Sequence, residues 1–276
     1  MENFERLNEI KKISSENLVE HLDSECVSKL KSFNTDNPAC EMIIIKNFPF
    51  TEANQADQAE QILLGLSFLL KMSLFTYENE YNGRLLHHIR PRLDAQYLSH
   101  SASSKAELKL HNENSFDKFR PDYQALYCLK GNLQAMTTYL SVSRLLKSFT
   151  TEKKSEMLVN GMKNNFLHIT PASHSKGLNQ KGELFYRQAD NSIGIRYGHG
   201  LINGLNDESE KLLKELEEKM FLNRGGIVLE DGDLCIWSNH TVLHGRSAYK
   251  TSYDDENKRF LIRMYLSKRD LPIVRS

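Results

Sequence analysis

The chain has 276 residues, 39% of them apolar, with Lys+Arg and Asp+Glu both at 36 and a formal net charge of zero. That length suits one all-β or α/β core with a sizeable interior. The neutral balance excludes a protein built to coat nucleic acid or an anionic membrane.

In chain order, the N-terminus "MENFERLNEIKK" is charged throughout and lacks the apolar stretch of a secretory leader. Residues 3–32 mix charged and apolar residues at helical spacing. "MIIIKNF" (42–48) is a β-branched run ending at Pro49, which predicts a buried strand. Thr51 is placed to cap a core-facing helix, "QADQAEQILLGLSFLLKM". Its apolar run, residues 62–70, is too short to span a bilayer. Strand-like segments follow: "RLLHHIR", "QALYCLK", "NFLHIT", "ELFYRQ", "SIGIRYG", "GIVLE", "DLCIWS" and "RFLIRMYL". One helix interrupts them at 206–221, with Leu212, Leu213, Leu216 and Met220 on one face. The i,i+4 pairs Glu210–Lys214 and Glu215–Lys219 mark its solvated face. Helices first and short strands after predict a mainly β fold with flanking helices, a sandwich or jelly-roll barrel. One domain is expected over 1–276, with a helical part to about residue 75 and a β core over about 80–270. Cys26, Cys40, Cys128 and Cys235 form no C-x-x-C, so they are expected as buried thiols of a soluble, cytoplasmic protein.

The chemistry starts at "LHNENSF" (110–116). On extended chain His111 and Glu113 point to the same side and could converge on one ion. A lone H-x-E is more often a solvated turn, so a third ligand has to decide it. "WSNHTVLHGRSAY" (237–249) offers two histidines. His244 ranks above His240 because Gly245 and Arg246 follow it, and glycine allows a sharp turn beside a ligand. In "RFLIRMYL", Arg259 and Arg263 share one side of a strand. If that side is exposed they are surface charge; if it faces the interior they require anions. Two histidines and a carboxylate form the facial triad of non-haem Fe(II) oxygenases, with positions open for a chelating co-substrate and O₂. An arginine would then hold the far carboxylate of 2-oxoglutarate, and the second an anionic group of the substrate.

The ordered set resembles the clavaminate synthase-like oxygenases, which include arginine and asparagine hydroxylases, within the taurine dioxygenase superfamily. "HNENSFDKFRPDYQALYCLKGN", "GIRYGHG" and "EDGDLCIWSNHTVLHGRSAY" each resemble a segment of that family, and together the likeness covers residues 80 to 270. It implies a double-stranded β-helix (jelly-roll) core. It implies Fe(II) on His111, Glu113 and His244, and 2-oxoglutarate on Arg259 and on Thr137, with Thr138 as runner-up. Arg263 would bind the α-carboxylate of an amino-acid-type substrate, with Glu113 and Asn82 or Glu80 also on the substrate side. Arg246 would order the turn after His244. O₂ is the oxidant, succinate and CO₂ are released, and a C–H bond of a free or carrier-tethered L-amino acid is hydroxylated. Glu113 argues for hydroxylation, since related halogenases have a small residue there.

The departures carry information. Arg196-Tyr197 is followed by Gly198-His199-Gly200, without an acid to receive a cationic side chain, and Ser238 stands where the family often has Asp. His87 and His88 alternate across a strand and are read as structural. Two rival classes remain, a zinc hydrolase on the same His/Glu/His set and a non-catalytic jelly-roll binding protein. Against the first, H-E-x-x-H is absent and the paired arginines would be unexplained. Oligomeric state is open.

Overall fold

The two-residue alternation of "RFLIRMYL" organises the molecule. In the computed structural model, residues 15–16, 18–20, 22–34, 41–48, 56–98, 100–169, 179–254, 258–269 and 273–274 are described. Helix α1 (Ser24–Asn34), strand β1 (Met42–Ile45) and helix α2 (Ala56–Leu69) come first. Strands β2 (Ser73–Tyr77), β3 (Leu86–Ile89), β4 (Leu108–His111), β5 (Tyr123–Lys130) and β6 (Met136–Ser141) follow. Helices α3 (Val142–Lys147) and α4 (Thr151–Gly161) precede β7 (Phe166–Ile169), β8 (Asn179–Gly182), β9 (Phe185–Arg187), β10 (Ile193–Ile195) and β11 (Ile202–Gly204). Helix α5 (Asp207–Asn223) leads into β12 (Gly225–Val228), β13 (Leu234–Ser238), β14 (Val242–Arg246), β15 (Phe260–Ser267) and β16 (Ile273–Val274).

The larger sheet has the order β1-β13-β5-β15-β2-β16, with β3 also paired to β15. The smaller has the order β12-β6-β14-β4. Two ribbons, β11-β7-β8 and β10-β9, complete the set. On β15, Phe260, Ile262, Met264 and Leu266 join Leu63 and Leu66 of α2 in one apolar cluster. Each such side chain contributes about 1.5–3 kcal/mol by leaving water. The intervening residues point the other way, where Leu261, Leu126, Cys128, Cys235 and Trp237 of the larger sheet meet Val242, Tyr139 and Ile227 of the smaller. This is the jelly-roll arrangement, two sheets over one core with helices outside. A further cluster sets Leu140 and Leu243 against α3, α4 and α5.

The chain has more elements than its pattern announces. Thr51, Pro49, Cys40 and residues 3–14 lie outside the described residues. The predicted helix stops at Leu69, and Ser73–Tyr77 is already strand. Strands β4, β6 and β14 and helices α3 and α4 go beyond the single interrupting helix expected. That helix, α5, begins with Asn206 and Ser209 in a reciprocal capping box. Of its two expected pairs, Glu210–Lys214 is present at 3.7 Å. Glu215 pairs instead with Lys153 of α4, at 2.8 Å, because α4 packs alongside. Cys128 and Cys235 are buried thiols, whereas Cys26 is only partly covered. Among the described residues no helix is long and apolar enough to cross a membrane.

Candidate metal centre

Strand pairing brings two of the histidines together. His111, the last residue of β4, lies directly opposite His244 in the middle of β14. Facing residues of an antiparallel pair share a side of the sheet, and the two rings sit 4.3 Å apart. Two residues beyond His111, Glu113 returns to the same side. Its backbone is clipped there by Asn239: the Glu113 N–H donates to Asn239 Oδ1 at 2.8 Å, and Asn239 Nδ2 donates back to the Glu113 carbonyl at 2.8 Å. Asn114 then takes a left-handed conformation, φ 46°, and turns the chain away. The candidate ligand atoms of His111, Glu113 and His244 all lie within 4.8 Å of one another.

His111 and Glu113 are in the protonation states a metal requires. His111 Nδ1–H donates to the Lys109 carbonyl at 2.8 Å, which leaves Nε2 as the lone-pair nitrogen. Burial, then the neighbouring His244, pulls the His111 pKa down to about 4, so the ring is neutral near pH 7. Burial pushes the Glu113 carboxyl up, but Arg263 and the two imidazoles outweigh it and hold the group well below the usual carboxylate range. Glu113 Oε2 lies 3.4 Å from His244 Nε2 and 3.9 Å from His111 Nε2. It is buried and accepts no hydrogen bond from the described residues. Two facing imidazoles and a buried carboxylate oxygen fit a divalent N/O-coordinated ion such as Fe(II).

The trio opens onto a cleft of about 1020 Å³. Arg259, just before β15, is 5% exposed, lines this cleft and lies 5.8 Å from the Tyr249 ring. Burial lowers its pKa, and among the described residues no carboxylate pairs with it. Thr137 of β6 lines the same wall, and its buried hydroxyl has no hydrogen-bond partner among the described residues. Thr138 points through the other face, beside Gly245. The parity of β6 thus separates the two threonines.

Arg263 is placed differently from Arg259. Its Nη1 donates to Glu113 Oε1 at 2.8 Å, and Nη2 reaches Glu80 Oε2 at 3.5 Å and His87 Nδ1 at 3.0 Å. Burial works against its charge, but Glu113 more than offsets this and raises its pKa. His87, which burial and Arg263 hold neutral with a pKa of about 3, stacks on Tyr81 and contacts the Thr76 hydroxyl. His88 reaches Glu60 on the helical side. Both histidines are structural, and His87 is also a brace for Arg263.

His240, ranked second to His244, has its ring bonded to Asp122 and the Tyr186 hydroxyl. Two expectations change. Gly245 makes no turn: β14 runs straight through it, and a Cβ there would lie 2.5 Å from the Leu108 carbonyl. It permits close approach of β4. Arg246 therefore orders no turn, and instead its Nη2 holds Ser103 Oγ at 2.6 Å and the Ala106 carbonyl at 2.9 Å. In the Arg196–Gly200 loop, Gly198 bridges to His111, while Tyr197 donates to Glu217 of α5 at 2.7 Å. Among the described residues, the acids that line the cleft are Glu80, Glu113 and Asp117. Asn82 lines it too, with left-handed φ 58°. Sequence reasoning missed Tyr265, whose hydroxyl lies 2.9 Å from Glu113 Oε1 and 3.0 Å from Glu80 Oε2. Its parity with Arg263 was the available signal.

Residues 39–156 match the model of the "Taurine catabolism dioxygenase TauD, TfdA family". An L-lysine 3-hydroxylase of Catenulispora acidiphila is 25% identical over 197 residues, 70% of this chain and 54% of the relative. An L-ornithine/L-arginine 3-hydroxylase of the same organism is 24% identical over 217 residues, 71% of this chain and 63% of the relative. The chain thus spans less than two thirds of either relative. Among solved structures, an asparagine oxygenase in complex with Fe(II), 2S,3S-3-hydroxyasparagine and succinate superposes with a TM-score of 0.80 at 19% identity, covering 92% of this chain and 86% of that one. The non-heme iron oxygenase OrfP in complex with Fe, succinate and (3S)-hydroxy-L-Arg gives 0.79 at 18% identity, covering 94% and 86%. The chain has the double-stranded β-helix fold of these non-heme iron oxygenases, and its sequence is similar to amino-acid 3-hydroxylases over about 70% of its length.

Proposed function

We propose that the chain is an Fe(II)- and 2-oxoglutarate-dependent dioxygenase that hydroxylates a C–H bond of an L-amino acid or a derivative of one. The observation that carries this is the combination in one cleft of the His111/Glu113/His244 trio with the buried Arg259 guanidinium, which no carboxylate meets among the described residues, and the Thr137 hydroxyl, which has no hydrogen-bond partner among them. A buried cation without an acid is strongly disfavoured unless an anion joins it. A dicarboxylate held by Arg259 and Thr137 at one end would extend toward the trio at the other. A zinc hydrolase leaves both groups unexplained. The relatives named as amino-acid 3-hydroxylases support the same reading.

Fe(II) with 2-oxoglutarate and O₂ supplies the oxidising chemistry, with succinate and CO₂ as co-products. His111, Glu113 and His244 hold the ion, and Arg259 and Thr137 orient the co-substrate. The substrate's ammonium group is assigned to Glu80, which faces the cleft 7% exposed. Its α-carboxylate is assigned to the Nη2 side of Arg263, where it would replace the long 3.5 Å contact to Glu80. Asn82 lies beside this subsite, and Asp117 offers an acid for a basic side chain. Holding the substrate against the ion supplies the orientation that such catalysis rests on.

The test is a screen of L-amino acids, including lysine, ornithine, arginine and asparagine, with Fe(II), 2-oxoglutarate and O₂. Succinate release coupled to a product one oxygen heavier is expected for at least one. Hydrolysis of an ester or amide by the zinc-loaded protein, with no succinate from the iron-loaded one, would overturn the proposal.

A further inference from the structure

We infer that Tyr265 is a positioning residue that, with Arg263, restricts Glu113 to offering a single oxygen to the metal. The inference rests on the metal reading of the trio. Glu113 has two chemically equal oxygens, but their surroundings differ. Oε1 lies 2.8 Å from Arg263 Nη1 and 2.9 Å from the Tyr265 hydroxyl. Oε2 accepts no hydrogen bond from the described residues and faces the two imidazoles. Two donors on Oε1 occupy the lone pairs it would need to reach an ion, so Glu113 presents Oε2 alone. A carboxylate bound through one oxygen leaves more of the ion's positions free for other donors.

The support around Tyr265 is rigid. Its side chain is fully buried on β15, and its ring packs on His87 at 5.0 Å, Phe75 at 5.9 Å and Tyr77 at 6.1 Å. The hydroxyl has one hydrogen and two carboxylates in reach, since Glu80 Oε2 is 3.0 Å away. The two assignments have different consequences. If the hydrogen serves Glu113, loss of the hydroxyl changes the metal site. If it serves Glu80, loss of the hydroxyl changes only substrate binding. The Glu113 contact is the shorter of the two, and Arg263 Nη2 also reaches Glu80 Oε2, so the geometry points to Glu113.

The test titrates metal-free wild type, Tyr265→Phe and Asn206→Ala, which lacks the α5 cap remote from the site, with Co(II), a redox-stable stand-in, followed by its visible absorption. Partners of metal ligands typically change affinity by about 10–100-fold. Tyr265→Phe is expected to weaken Co(II) binding by about 10-fold and to shift the band's position and intensity. Asn206→Ala is expected to keep both close to wild type. Wild-type affinity and spectrum in Tyr265→Phe would overturn the inference, as would a change in Asn206→Ala as large as that in Tyr265→Phe. If Tyr265→Phe fails to fold, Arg263→Lys, which keeps the charge but removes the fork, gives the same two readouts on the other donor to Oε1. Failure of the wild type itself to bind Co(II) would instead sink the metal reading on which the inference stands.

Discussion

At the scale of single residues, Arg259 ties stability to function. It is a buried guanidinium with no acid partner among the described residues, and such a group disfavours the folded state until an anion arrives. Arg259→Met is therefore expected to raise the melting temperature of the metal- and co-substrate-free protein, seen by calorimetry. The same variant is expected to raise KM for 2-oxoglutarate by about 30-fold or more, because removing one partner of a buried charge pair costs about 2–5 kcal/mol. A lower melting temperature with unchanged KM would mean that Arg259 serves the fold. This residue was legible in the sequence, because its parity with Arg263 in a greasy strand forces a choice between an exposed face and an anion-holding interior. For Tyr265 only the parity was legible, because its partner Glu113 follows β4 of the other sheet and only the packing of the two sheets brings them together.

At the scale of elements, the site depends on how closely β14 approaches β4. A Cβ on residue 245 would lie 2.5 Å from the Leu108 carbonyl and 2.8 Å from Thr138 Oγ1. Gly245→Ala must push the strands apart between His111 and His244. It is expected to lose about 1–3 kcal/mol, as overpacked positions do, together with weakened Co(II) binding. Asn206→Ala is the contrast. It removes the α5 cap on the far side of the smaller sheet, for about 1 kcal/mol, and its metal affinity should match wild type. A third junction carries a pH signature. Burial pushes the Asp122 carboxyl up, but His240, the Lys268 N–H and Ser267 outweigh this and hold it at about 2. A depressed folded pKa stabilises above the unfolded value of about 3.9 and loses that contribution as pH falls toward 2. Asp122→Asn is expected to unfold at lower urea than wild type at pH 6, with the gap closing as pH drops below about 4; a constant gap contradicts the linkage. Strand β14 itself was hidden, since all five of its residues are buried and leave no alternation to read. Helix α4 was hidden for the opposite reason, because Met157 and Gly161 alone are buried among its residues and no apolar stripe marks it.

At the scale of the whole molecule, the order of layers places the chemistry. Helices α1 and α2 cover the outer face of the larger sheet, and α3 to α5 cover that of the smaller. Charged and polar side chains are thereby left to the space between the sheets, where Arg259, Arg263, Thr137, His111, Glu113 and His244 converge. The overall class was readable because helical periods precede a long series of short apolar runs. The division into two sheets was not, because "VLHGR" and "MTTYLS" pair through contacts distant in sequence. The most direct measurement is an anaerobic titration of the protein with Fe(II) and 2-oxoglutarate, followed by visible absorption. A weak charge-transfer band of the bound chelate is expected, lost in Glu113→Ala and in His244→Ala and needing more 2-oxoglutarate in Arg259→Met. No band in the wild type, with tight zinc binding at the same three residues, would contradict an iron and 2-oxoglutarate site.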